Sequence, residues 1–383
     1  ENISYESLKN NKEIYDIWKK ISTNYYILNK YDLFFSKILH KLSLKFYFIN
    51  KKISKWAEKK TLNKIFSINK FQKKLKFHIK DVKAVFAPNV HLSSLPIFFK
   101  KYNPKLSIIR FPESAMISAS KIQNPKLEYN LSFRKIVGDL FLFSSKSDKE
   151  FLLGINKKKN IYYCGYLRHQ KWWIRKFLSH PKKNKTFKVL IAVRNPQKNY
   201  LQESVFIEMM QTLMNVLSKI NNIKITFKIH PQDKNLDLLN NILTKYNKKT
   251  WEYKKSHMLT LSSESDVCIA VITSACLDSL AVGIPTLEYY KINSELKISS
   301  NITHCVHMAY SRNKWRTIFN VKRLVNTVET YEQLNNNINL IYRNQYQKIN
   351  NINQLYFKKL ISINKNNTDE TLNYIENNYF TKV

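Results

Sequence analysis

Between residues 187 and 290 short apolar runs alternate with helix-length amphipathic stretches, and this alternation leaves few folds open. "FKVLIAVRNP" (187–196), "IKITFKIHP" (223–231), "SDVCIAVITS" (265–274) and "IPTLEYY" (284–290) read as strands. Between them, "LQESVFIEMMQTLMNVLSKI" (201–220), "NLDLLNNILTKY" (235–246) and "ACLDSLAVG" (275–283) read as helices, the last stopped by Gly283. Near-continuous apolar strands are covered on both faces, which is the habit of parallel sheets. Strand–helix–strand order then predicts a doubly wound parallel sheet, with "IPTLEYY" as its final strand.

A similar texture starts near residue 81. "KAVFAPN" (83–89), "LSIIRFPE" (106–113), "LFLFSS" (140–145) and "IYYCGY" (161–166) are apolar runs that each end in polar or turn-forming residues, as buried parallel strands do. A chain of 383 residues is long enough for two such lobes. The expected architecture is therefore α/β, two Rossmann-like lobes facing a cleft. Its segments are a basic helical stretch at 1–80, a first lobe at 81–182, a second lobe at 183–340 and a polar, Asn-rich helical segment at 341–383 that packs back on the first lobe. The basic run "SHPKKNKTFK" (179–188) is the expected linker; its His180-Pro181 lies outside any strand and reads as a loop.

The formal charge of +38 raises nucleic acid, anionic membranes and acidic substrates as partners. Only nine residues are Arg, so the excess is almost all Lys, in company with abundant Asn, Ile, Tyr and Phe. That mixture looks like AT-rich coding. Base and phosphate readout favours the planar fork of Arg, so nucleic acid is disfavoured as a partner. In "FFSKILHKLSLKFYFI" the apolar Phe35, Ile38, Leu42, Phe46 and Ile49 share one helical face, while Lys37, Lys41 and Lys45 recur every four residues. Such a helix suits an anionic membrane interface or a core-facing position with a solvated Lys edge.

Cys164, Cys268, Cys276 and Cys305 show no C-x-x-C spacing, and three sit in apolar surroundings, as thiols of a reducing compartment do. No run nears the ~18 apolar residues of a spanning helix, and no signal peptide is visible. A cytoplasmic location is expected, with peripheral contact at the inner membrane face if the basic helix binds lipid. The chain opens on Glu1 rather than Met, which leaves room for a trimmed upstream segment.

Ligands of open parallel sheets bind outside the carboxyl ends of the strands. Three second-lobe strands end there in polar groups: Arg194 and Asn195, then His230-Pro231, then Thr273-Ser274. The last pair starts a helix, whose free N–H groups and hydroxyls would face an anion. Pro231 would stop its strand and hold the His230 imidazole at the rim, ready to donate to the same phosphate. Lys228 either adds charge there or is a solvated strand residue.

"KIHPQ", followed about forty residues later by "DVCIAVITSACLDSLAVGIPTLEYY", resembles the carboxy-terminal half of the bacterial GT-B glycosyltransferases that build capsules, lipopolysaccharide and teichoic acids. "FSSKSDKEFL" followed by "IYYCGYLR" is similar to the stretch that closes the first lobe of such enzymes. The likeness spans roughly residues 140–290. It implies that His230, Pro231, Thr273 and Ser274 grip the phosphate of a nucleotide-sugar donor, with Gly283 and Pro285 in the loop behind. It also implies a glycan or lipid-linked glycan acceptor, and as donor a CMP-activated sugar acid such as Kdo or a nonulosonate; CDP-glycerol and UDP-sugars stand as alternatives.

Many relatives carry His-Gly where this chain has "RFPESA", so the first-lobe base must come from elsewhere. Glu113 is the first candidate, since a carboxylate at that strand end could take the acceptor's proton; the alternative is a helix-start carboxylate. His91 and Asp139 follow, each with a turn or capping role as its alternative. Glu288 is read either as a ribose ligand or as a surface carboxylate. No acid-x-acid motif stands at a strand end, "ESD" (264–266) being the nearest, so metal-independent direct displacement is expected, with the donor as substrate and no cofactor. A non-catalytic basic adaptor and a two-lobed epimerase are the competing readings.

Overall fold

The computed structural model describes residues 83–88, 100, 103–112, 117, 138–145, 149, 160–178, 186–196, 201–230, 233, 236–271, 273–291, 308–311, 313–361 and 367–380. The helix expected within 1–80, His91, Glu113, Pro231 and Cys305 lie outside them.

The first lobe contributes β1 (Ala84–Pro88), β2 (Ser107–Phe111), β3 (Leu140–Phe143) and β4 (Ile161–Tyr163), in the order β1-β2-β3-β4. All neighbours are parallel. Ile108, Ile109, Leu140, Phe141 and Leu142 are buried, as expected of strands covered on both faces. A 3-10 turn, Leu167–His169, and the short α1 (Lys171–Ile174) lead out of β4.

The second lobe follows as β5 (Phe187–Val193), α2 (Glu203–Leu217), β6 (Ile223–Ile229), α3 (Asp237–Leu243), β7 (Trp251–Tyr253), α4 (Met258–Ser263), β8 (Val267–Val271), α5 (Cys276–Val282) and β9 (Thr286–Tyr289). The chain then adds a hairpin of β10 (Met308–Ser311) and β11 (Lys314–Thr317), the short α6 (Ile318–Val321), and β12 (Asn326–Val328). The sheet order is β12-β9-β8-β5-β6-β7, parallel throughout. "IPTLEYY" is thus not the last strand: β12 pairs on its outer side. β12 and β7, "NTV" and "WEY", are three-residue edge strands, too short to show a periodicity.

Local chemistry explains the helices. α2 buries Val205, Phe206, Met209, Met210, Leu213 and Leu217 on one stripe, and Glu203 sits in its first turn where the helix dipole favours a carboxylate. That stripe joins the core formed by Val189, Ile191, Ile225, Phe227 and Ile269. α5 ends at Gly283, whose φ of 96° continues the chain with Ile284 N–H bonded to the Ser279 carbonyl. Only glycine takes that conformation without a Cβ penalty.

Three C-terminal helices close the molecule: α7 (Tyr331–Tyr342), α8 (Gln347–Ile361) and α9 (Asn367–Ile375). α8 lies along α5. Asn350 Nδ2 donates to the Gly283 carbonyl (3.1 Å), Gln354 Nε2 to that of Leu280 (2.9 Å), and Phe357 packs with Leu277, Leu280 and Tyr166. α9 covers the first sheet: Ile375 packs with Ile109, Leu140 and Leu142, and Tyr374 stacks on Tyr162 at 3.9 Å between ring centres.

Candidate functional site

β5 is the topological switch of the second sheet. The chain runs outward from β5 through β6 to β7, then returns to the other side of β5 for β8, β9 and β12. Ligands of open α/β sheets bind at the carboxyl ends beside such a reversal. Here those ends are flush: Val193 is in register with Ile229 of β6 on one side and with Val271 of β8 on the other. Arg194 and Asn195, His230, and Thr273 and Ser274 therefore leave the sheet from one rim. Adjacent strands lie about 4.8 Å apart, so the two outer groups flank β5 across roughly 10 Å, a span that phosphate and sugar groups can bridge.

The rim loops are tied together. His230 N–H bonds to the Val193 carbonyl (3.1 Å), carrying the β5–β6 ladder one step past the strands. Asp233 N–H turns back to the His230 carbonyl (2.9 Å), and Asp233 Oδ2 accepts from Asn195 N–H (2.7 Å). On the β8 side Thr273 Oγ1 accepts from Ala275 N–H (3.3 Å), and the Ser274 carbonyl accepts from Leu277 N–H (3.0 Å). All five of the rim residues named above are half-buried: reachable by a solute, yet partly shielded, so their donors act in a lower dielectric than water.

The helix that follows the Thr273–Ser274 turn carries a buried charge cluster that the sequence reading missed. Asp278, in the first turn of α5, is 5% exposed; Arg168 Nη2 reaches its Oδ2 (2.5 Å), and His169 Nε2 stands 2.9 Å from its Oδ1. Burial opposes ionisation of this carboxyl, but Arg168 and His169 outweigh it and bring it down to about 2. The sequence did hold a signal, a lone acid inside the apolar "ACLDSLAVG", because a buried carboxylate needs partners. Those partners sit 110 and 109 residues away, beyond any local pattern.

Two of the expected site residues stand apart from the rim. Asp139 precedes β3, at the amino edge of the first sheet, where it accepts from Ile108 N–H (2.8 Å) and pairs with Lys100 (2.5 Å). The sheet edge that receives ligands is the opposite one, so Asp139 has the capping role. Glu288 is 1% exposed and accepts from the hydroxyls of Thr317 and Thr327. It is a buried link between β9, β11 and β12 rather than a surface carboxylate, and burial raises its carboxyl to about 7. Lys228 Nζ donates to the Lys255 carbonyl (3.0 Å). Among the described residues no three His, Cys, Asp or Glu side chains gather as metal ligands would, and no helix is long and apolar enough to cross a membrane.

No protein-family model and no curated protein sequence matches the chain, but solved structures resemble it. One is S. aureus MnaA with UDP, 8% identical, TM-score 0.54, covering 97% of this chain and 90% of that one. Another is a Listeria monocytogenes protein provisionally assigned as a UDP-N-acetylglucosamine 2-epimerase, 10% identical, TM-score 0.53, covering 85% and 80%. A third is trehalose-6-phosphate synthase, 10% identical, TM-score 0.52, covering 92% and 87%. At these identities the likeness establishes architecture: the fold is GT-B-like, with two Rossmann-like parallel sheets.

Proposed function

We propose that this chain is a nucleotide-sugar-dependent glycosyltransferase whose second lobe holds the donor by its phosphate. The observation that supports it most is the flush rim at the switch point, where Arg194, His230, Thr273 and Ser274 follow three strands in register. As the leaving group gains negative charge, preorganised N–H and O–H donors and a guanidinium stabilise it without reorganising. Asp278, held by Arg168 and His169, ties the helix that follows the two hydroxyls to the turn that leaves the first sheet.

The donor is a pyrimidine nucleotide sugar. The sequence resemblance points to a CMP-activated sugar acid, whereas MnaA was solved with UDP; the two share a pyrimidine and a phosphate. The acceptor, from the resemblance alone, is a bacterial surface glycan. Its proton goes to a first-lobe base, for which Glu113, beyond the end of β2, is the candidate, with His91 second. The Listeria protein supports a second reading, an epimerase acting on the same class of donor.

Thermal-shift measurements with CMP, CDP, UDP and GDP test the reading. Binding to the folded state alone raises the melting temperature by mass action, so one pyrimidine nucleotide should stand out over GDP. Equal shifts that vanish with salt would point instead to a non-selective basic surface. Donor consumed or rearranged without acceptor would favour the epimerase.

A further inference from the structure

A cavity of about 540 Å³ with a mixed polar and apolar lining opens between α6, the β10–β11 hairpin and α8. Arg316, Arg323, Asn320 and Asn353 line it together with Val321 and Ile352. It lies behind the rim: α8 passes from Gly283, at the amino edge of β9, to Phe357 beside His169 near the cleft, and the cavity borders the earlier part of that helix.

The lining is mismatched in one direction. Arg316 Nε and Asn353 Nδ2 are both buried without a hydrogen-bond partner, and Asn353 is 3% exposed. Both are N–H donors. Among the described residues Arg316 otherwise bonds to Asn320 Oδ1 (3.3 Å), and Arg323 bonds to the Tyr356 hydroxyl (2.9 Å) and lies over its ring. Among the described residues neither guanidinium has a carboxylate partner, and none of those lining the cavity is acidic. An unmet buried donor loses its bond to water without replacing it, and folded proteins keep few of them. Two of the nine arginines meet here in a chain that otherwise uses Lys; the planar fork of Arg matches tetrahedral and planar oxyanions as Lys cannot. The volume falls within the ~300–1,000 Å³ of small-molecule sites, and Val321 and Ile352 supply an apolar wall.

We propose that this cavity binds a small phosphate monoester, such as a sugar phosphate, with Arg316 and Arg323 on the oxyanion and Asn353 donating to a further ligand oxygen. The site is independent of the donor rim. Calorimetric titration of the full chain with inorganic phosphate and glucose 6-phosphate tests it, with glucose as the neutral control. The expected result is saturable binding of both phosphates at one site, tighter for the sugar phosphate, and silence from glucose. Arg316→Gln should weaken that binding by roughly ten-fold or more, whereas His230→Ala should leave it unchanged. Asn353→Asp is a second, nearly isosteric variant: it removes the donor, places a negative charge in the lining and should abolish phosphate binding, with the melting temperature reporting that the chain stays folded. No saturable heat, an affinity unaltered in both cavity variants, or loss of binding in His230→Ala would each overturn the proposal.

Discussion

His169 Nε2 stands 2.9 Å from Asp278 Oδ1, joining the turn that leaves the first sheet to the helix that begins at the rim of the second. His169 is 1% exposed, and Arg168 holds the second carboxylate oxygen. Removing the charge takes the carboxylate away from a half-buried guanidinium and a buried imidazole. Asp278→Asn should cost about 3–5 kcal/mol of stability, read by urea unfolding at pH 7. Because the folded carboxyl is held at about 2 against an ordinary 3.8, its contribution is present above 3.8 and is lost as pH falls towards 2. The deficit of the variant should therefore shrink by about 2 kcal/mol between pH 7 and pH 2.

Glu288 carries the opposite sign. Burial raises its carboxyl to about 7, although Thr317 and Thr327 donate to it. A proton retained in the folded state and lost in the unfolded one gives stability that is full below 4.5 and disappears as pH rises to 7. Glu288→Gln keeps an acceptor for the threonines and removes the titration. Its unfolding free energy should be flatter than wild type between pH 5 and 8, the wild-type change being about 3 kcal/mol. Equal slopes would show that Glu288 is not the titrating group.

Two glycines should fail for different reasons. A Cβ at Gly138 would meet Arg110 Cγ at 2.8 Å and the Phe141 ring at 2.8 Å, whereas one at Gly283 would meet nothing within 4 Å. Gly138→Ala should cost about 1–3 kcal/mol through overpacking of buried Arg110. Gly283→Ala pays only for its φ of 96°, about 1–2 kcal/mol. Suppressors should differ too: a smaller side chain in place of Phe141 should rescue the first and not the second, as melting temperatures would show.

The long central strands were legible because both their faces are buried. "FKVLIAV" and "IKITFKI" appear as β5 and β6 with little change at their ends, and Gly283 announced the end of α5. β7 and β12 were not legible, since edge strands of three residues leave no pattern. The rim could be read because strand ends are local: Arg194, His230 and Thr273 each follow an apolar run. The Asp278 cluster could not, because it depends on which residues two separate lobes bring together. Glu288 misled for a related reason. A carboxylate in "IPTLEYY" suggests solvent, and only the later arrival of Thr317 and Thr327 over β9 makes its burial tolerable.

Donor binding as proposed requires the phosphate to meet the rim, and His230 offers the most direct access to it. The decisive measurement is calorimetric affinity for the best pyrimidine nucleotide in wild type and in His230→Ala, at one salt concentration. With unchanged melting temperatures in the absence of ligand, the variant should bind about ten-fold more weakly, roughly 1.4 kcal/mol, and transfer should slow at least in proportion. Equal affinities would take the imidazole, and with it the proposed phosphate site, out of the mechanism.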